Sequence, residues 1–166
     1  MDLNEPADSR LERVSSLLAG LPGPLGNGEM LVWVERTDRD AMPQAVFDHL
    51  RAAGLHDRWY PQIPVNVPET ATEMMNRLGE IDQQAAAELF IGLTTRTLAY
   101  NARGRYDEAK AREVFSALRR LLDEETTWWT NTDTIGWDPV TRHIFDAMVI
   151  GAGAEMTVAL LAFNED

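Results

Sequence analysis

Hydrophobic and polar positions alternate with two different periods along the chain. Leu11, Val14, Leu17 and Leu18 form one stripe at helical spacing, with Pro6 near its start, and predict a helix over 6–20. Leu-Pro-Gly-Pro-Leu-Gly-Asn-Gly at 21–28 ends it and predicts a loop. Met30 to Glu35 is short, β-rich and bounded by turn residues, which predicts a strand over 30–35. Asp38 or Asp40 then caps a helix that accommodates Pro43 in its first turn and stops at Gly54. Residues 55–68 are proline-rich, with Pro64 interrupting the alternation of Ile63, Val65 and Val67, so 63–67 is at most an edge strand.

The middle of the chain is helical. Thr70-Ala-Thr-Glu73 matches a capping box and opens a helix to about Leu78. Asp82 caps the next, expected to run to about Ala102, whose broad apolar set (Ala86, Leu89, Phe90, Leu93, Leu98) marks it as the most buried helix. A further helix from about Tyr106 to Asp123 places Val114, Leu118, Leu121 and Leu122 on one face. Its polar face carries the i,i+4 pairs Glu108–Arg112, Arg119–Asp123 and Arg120–Glu124.

After Glu125 the pattern becomes β-prone. Residues 126–132, 143–150 and 155–163 read as strands, the last two joined by a hairpin at Gly151-Ala-Gly-Ala. The first strand is expected to join that hairpin, because one hairpin rarely stands alone in water. The expectation is an α+β domain: an antiparallel sheet of three to five strands against four to five helices, gathered mainly in one block. Residues 1–166 read as a single globular domain with 1–5 loose and 21–28 a loop.

Composition narrows the function classes. At 45% hydrophobic and 25% charged the 166 residues are ordinary for a folded domain. Absence of cysteine removes disulfides, thiolate metal sites and cysteine nucleophiles together. The acidic start, Met-Asp-Leu-Asn-Glu-Pro, is the opposite of a signal peptide, and the apolar stretch from Ala147 to Phe163 is broken by Gly151, Gly153 and Glu155. These features favour a cytoplasmic protein with no membrane span. Net charge is −12, from 27 acids and 15 bases, spread over both halves of the chain. Such a surface repels phosphate backbones, disfavours nucleic acid as partner, and can steer a basic protein. Lys110 is the lone lysine among the 15 basic residues, which suits a GC-rich bacterial genome.

The richest segment for chemistry is 124–146, which holds Trp128, Trp129 and Trp137 interleaved with Asn131, Asp133 and Asp138. In a strand, Trp128 and Trp129 point to opposite faces, so either one fills the core while the other faces out or lines a pocket, or both are buried, the second beneath a helix or the loop around Gly136. Trp137-Asp-Pro reads as a turn start. Asp133, His143 and Asp146 are the candidate acid–base groups. Asp133 can reach His143 across a turn, whereas His143 and Asp146, three apart, fall on opposite faces of a strand. Asp146 inside an apolar strand must face solvent or be paired, with Arg142 or Arg36 as its partner. Asp123, Glu124 and Glu125 end a helix where negative charge is unfavourable, either as a solvated end or as steering charge. Arg58-Trp59-Tyr60-Pro61 is a second aromatic cluster. His49 and His56 do not make a zinc motif, and no phosphate loop, dinucleotide fingerprint, nucleophile elbow or zincin motif is present.

These features point first to a non-enzymatic acidic protein-binding module, of inhibitor, immunity-protein or accessory type, without cofactor or metal. Its contact set would be Trp128, Trp129, Trp137, Asp133 and Asp138, with Asp123, Glu124 and Glu125 as steering charge. Two other readings stay open: a small-molecule binding protein or enzyme with a tryptophan-lined pocket, and a homo-oligomeric structural subunit.

Overall fold

A computed structural model describes residues 6–26, 28–57, 67–98, 102–132, 139–143 and 146–164. The expectations for 1–5, for Arg58–Pro61 and for 63–66 lie outside the described residues.

Among the described residues five helices and six strands are present: α1 (Ala7–Leu17), β1 (Gly23–Leu25), β2 (Gly28–Glu35), α2 (Met42–Ala52), α3 (Ala71–Asn76), β3 (Gly79–Ile81), α4 (Gln83–Thr95), α5 (Glu108–Leu121), β4 (Thr127–Thr130), β5 (Asp146–Ala152) and β6 (Thr157–Asn164). The helix starts follow local chemistry. Asp82 and Asp107 each accept a backbone N–H three residues on, from Ala85 and Lys110, both at 2.8 Å. Thr70 Oγ1 accepts from Glu73 N at 3.1 Å, and the Glu73 carboxylate reaches back to accept from Glu69 N, one residue before the N-cap, at 2.7 Å. Neither aspartate before α2 caps it: Ala41 is the N-cap with no side-chain cap bond, and Asp38 accepts from Ala41 N at 2.9 Å in the turn that precedes the helix. Along α5 the buried positions are Ala111, Val114, Phe115, Leu118 and Leu121, one helical stripe.

The strands form one antiparallel sheet in the order β1-β2-β6-β5-β4-β3. The first long strand does join the C-terminal hairpin, β2 pairing with β6 from Gly28↔Asn164 to Glu35↔Thr157. Every residue of β5 and β6 is buried. The cause is that both faces of the sheet are covered. One core gathers Val14, Phe90, Phe115, Leu118, Trp128, Val149 and Leu160 under α1, α4 and α5. A second gathers Met42, Phe47, Leu50, Met74, Met148, Ile150 and Leu161 under α2 and α3. A strand packed on both faces needs no polar alternation, so β5 and β6 read as continuous apolar runs. Helices therefore flank the sheet on two sides.

Four boundaries differ from the sequence-based expectations. The 21–28 stretch contains β1, hairpinned onto β2, and Gly79–Ile81 adds an edge strand on β4, giving six strands where three to five were expected. Helix α4 stops at Thr95 instead of Ala102: the hydroxyls of Thr94 and Thr95 bond back to the carbonyls of Phe90 and Ile91 at 2.8 and 2.6 Å, and Arg96 turns extended. The hairpin turn falls at 153–156, closed by Gly153 N to Met156 O at 3.0 Å, and not at Gly151. Gly151 lies inside β5, where a Cβ would come 2.6 Å from the Trp128 ring; it is glycine so that the indole can lie on the strand. No helix among the described residues is long and apolar enough to cross a membrane.

Candidate functional site

At one end of the sheet β4 and β5 part, and three polar side chains hold the parting. Beyond Thr130, which pairs with Val149, Asn131 substitutes side chain for backbone: its Oδ1 accepts from Met148 N at 2.8 Å. Its Nδ2 donates to Asp146 Oδ1 at 2.7 Å. The other carboxylate oxygen accepts from Val140 N at 3.1 Å, Thr141 N at 2.8 Å and Thr141 Oγ1 at 2.7 Å. Asp146 is 3% exposed. Burial pushes its carboxyl above the ordinary aspartate value, and the donors from Thr141, Asn131 and Val140 pull the other way without cancelling that effect.

The strand of chain leading to Asp146 is fixed from outside as well. Arg77 Nη1 donates to Pro139 O at 2.6 Å, His56 Nε2–H to Val140 O at 3.0 Å, and Arg142 N to Leu55 O at 2.8 Å. His143 N donates to Thr141 Oγ1 at 3.1 Å, and its ring stacks on Phe163 at 4.4 Å between centroids. Burial is the largest influence on His56 and lowers its pKa, aided by the charges of Arg51 and Arg77. The outcome is a clamp. Asn131 on one side and residues 139–143 on the other are tied to the same buried carboxylate, which fixes both ends of the intervening segment.

Asp133, Trp137 and Asp138 fall in that segment, at 133–138, outside the described residues. Trp128 and Trp129 do lie on opposite faces. Trp128 is buried in the first core, its ring 5.6 Å from Phe115. Trp129 is half-buried against the second core. Asp146 was expected to face solvent or sit in an ion pair; it is buried and accepts from neutral donors, and Arg36 pairs instead with Asp8 at 3.0 Å. Burial wins because the strand is covered on both faces, so the donors had to come from the chain's own turns. His143 and Asp146 do not occupy one strand: β5 begins at Asp146, and the two are linked through Thr141.

The acidic run is not brought to this end. Asp123 accepts from Ala154 N at 3.0 Å and from Thr126 Oγ1 at 3.4 Å, which ties it to the turn of the β5–β6 hairpin at the opposite end of β4. Glu124 and Glu125 are exposed there, with Arg39 Nη2 3.8 Å from the Glu125 carboxylate. Thr141 and Arg77 were not singled out from the sequence; Asn131 was noted only as a polar residue among the tryptophans, and His56 was weighed only as a zinc ligand. The available signal was Asp146 itself: an aspartate in an apolar run needs donors, and Asn131, the first residue after the preceding strand, and Thr141, shortly before its own, supply them.

Among the described residues no cluster of three or more histidines and carboxylates is placed to hold a metal ion. A cleft of about 690 Å³ lies between α4 and α5 and is lined by none of Trp128, Trp129, His143 or Asp146. No protein-family model and no curated protein matches the chain. Among solved structures it is similar to citrus MAF1 in two crystal forms, at 12% and 10% identity, covering 94% of this chain and 99% of each of those, with a TM-score of 0.42 for both.

Proposed function

We propose that this protein is a non-enzymatic, acidic protein-binding module that engages a basic partner protein through the segment carrying Asp133, Trp137 and Asp138. The observation that carries the reading is the clamp. Four donors converge on a buried carboxylate to hold Asn131 and Val140–Thr141, the two sides of that segment. A segment whose flanking residues are fixed loses less entropy on docking, so its side chains bind more tightly for the same contacts. Tryptophan supplies apolar area with a single N–H donor, and the aspartates supply charge complementary to a basic surface. A net charge of −12 adds long-range attraction for such a partner.

In this reading Trp128 is a core support beneath the sheet, and Asp146 positions the segment without itself touching the partner. Glu124 and Glu125 act as steering charge from the far end of β4. The pocket-enzyme alternative is less well supported: Asp146 and His143 are buried in the clamp, away from the cleft.

The test is tagged purification from native cell extract at low and moderate salt, with the wild type beside Trp137→Ala and Asp133→Asn/Asp138→Asn. A stoichiometric basic protein should co-elute, dissociate as salt rises, and be lost with either variant while the melting temperature of each stays near wild type. Undiminished capture by both variants would overturn the proposal. A large fall in melting temperature for Trp137→Ala would assign that ring to the core, and recovery of the chain with itself alone would favour the homo-oligomer.

A further inference from the structure

Between α4 and α5 the chain folds back on itself. Thr97 N donates to Ala102 O at 2.9 Å, Gly104 N to Thr95 O at 2.8 Å and Tyr106 N to Thr94 O at 2.9 Å. Arg96 and Arg103 form an antiparallel bridge. Gly104 is required for this close approach, since a Cβ there would come 2.5 Å from the carbonyl oxygen of Thr94. The reversal, the end of α4 and the start of α5 line the open cleft of about 690 Å³, a size that suits a small organic molecule.

Its lining carries three carboxylates, Glu88, Asp107 and Glu108, and three guanidiniums, Arg96, Arg103 and Arg112. Asp107 is engaged in capping α5, and Glu108 pairs with Arg112 at 2.7 Å. Arg96 and Arg103 are both exposed and, as bridge partners, project on the same face directly opposite one another. Like charges in that position repel, yet among the described residues neither arginine forms an ion pair, in a chain with 27 acids to 15 bases. Two guanidinium forks side by side match a group with several anionic oxygens. Ile91 and Tyr106 supply an adjoining apolar surface, and Glu88 across the cleft disfavours an extended polyanion.

We propose that this cleft binds a small organic phosphate monoester, its phosphate held between Arg96 and Arg103 and its apolar body lying on Ile91 and Tyr106. The site is separate from the clamp at Asp146, and either proposal can fail alone.

The experiment titrates the intact protein with phenyl phosphate, following the arginine side-chain N–H resonances and the heat of binding, with inorganic phosphate and benzoate in parallel. Saturable one-to-one binding of phenyl phosphate is expected, weakened about tenfold or more by Arg96→Gln or Arg103→Gln, on the scale of a charged hydrogen bond. Arg36→Gln, at a remote exposed pair, should bind as wild type. Inorganic phosphate should bind more weakly for want of the apolar body, and benzoate more weakly for want of charge. Because both arginines are exposed and oppose each other, the melting temperature of either variant should be unchanged or higher. Absence of saturable shifts, wild-type binding by an Arg96→Gln/Arg103→Gln protein, benzoate binding as tightly as phenyl phosphate, or a marked loss of stability in the arginine variants would each overturn the proposal.

Discussion

Replacing Asp146 with alanine would strand four donors at once: Asn131 Nδ2, Val140 N, Thr141 N and Thr141 Oγ1, which reach its carboxylate at 2.7 to 3.1 Å. Each buried donor left without an acceptor costs about 1–3 kcal/mol. The threonine hydroxyl can rotate toward another acceptor and a water can enter the vacated space, so the sum is smaller than four full penalties. A loss of about 3–5 kcal/mol is expected, the scale on which buried polar networks fail. Asp146→Asn keeps one oxygen for Val140 and Thr141 but sets an amide nitrogen against Asn131 Nδ2, and should cost about 1–2 kcal/mol. The two variants also differ from wild type in pH dependence. Because burial raises the folded-state pKa above the ordinary 3.8, the native protein binds this proton more tightly than the unfolded chain does. The wild-type contribution is therefore fully present below 3.8 and declines as pH rises through the folded value, and neither variant should carry that slope. Urea unfolding followed by tryptophan fluorescence, repeated from pH 4 to pH 7, measures both effects. An Asp146→Ala protein within about 1 kcal/mol of wild type would refute the clamp, since no four-donor network could then be supporting the sheet end.

His56 offers a second titration of opposite sign. Burial lowers its pKa below 6.5, so its contribution is present above 6.5 and is lost as pH falls through the folded value; a ring-proton titration by NMR with a midpoint at or above 6.5 would contradict this. Gly151→Ala places a methyl 2.6 Å from the Trp128 ring and should cost about 1–3 kcal/mol, with a changed near-ultraviolet dichroism from the displaced indole. Asp107→Ala removes the acceptor for Lys110 N and should lower stability by about 1 kcal/mol, measured by thermal unfolding.

Much of this architecture was written in short-range chemistry. Asp82, Asp107 and the Thr70–Glu73 motif announced three helices, and the α5 stripe announced its buried face, because capping and amphipathicity act within one or two turns. The C-terminal hairpin and its junction with β2 were also legible from β-rich runs and turn residues. What stayed hidden depends on partners distant in sequence. Gly79–Ile81 is a strand because Trp128–Thr130 lies beside it, and nothing within the tripeptide says so. Gly151 reads as a turn until the indole of Trp128 is seen lying over it. Asp146 was recognised as an anomaly in an apolar run, yet its answer, Asn131 and Thr141, became visible once both faces of β5 proved to be covered. The cross-strand arginines at 96 and 103 were masked by a helical pattern that continues in apolar positions as far as Leu98, although the threonine pair at 94 and 95 breaks the helix.

The position of β6 within the sheet has a consequence for how the chain comes to be folded. β2, at 28–35, finds its main partner in β6, at 157–164, and every other strand of the sheet has been synthesised before that partner exists. A ribosome therefore releases β2, α1 and the helical middle with the sheet's central seam still open. Local helices can form early, but the two cores cannot close, since β6 contributes to both. Folding of this domain is thus a late event, gated by one apolar strand that joins segments far apart in sequence, a topology that slows folding and lengthens exposure of unpaired edges. A nascent-chain series stalled at successive lengths should acquire protease resistance in a single step as residue 164 clears the exit tunnel, with little gained by lengths that stop at β5.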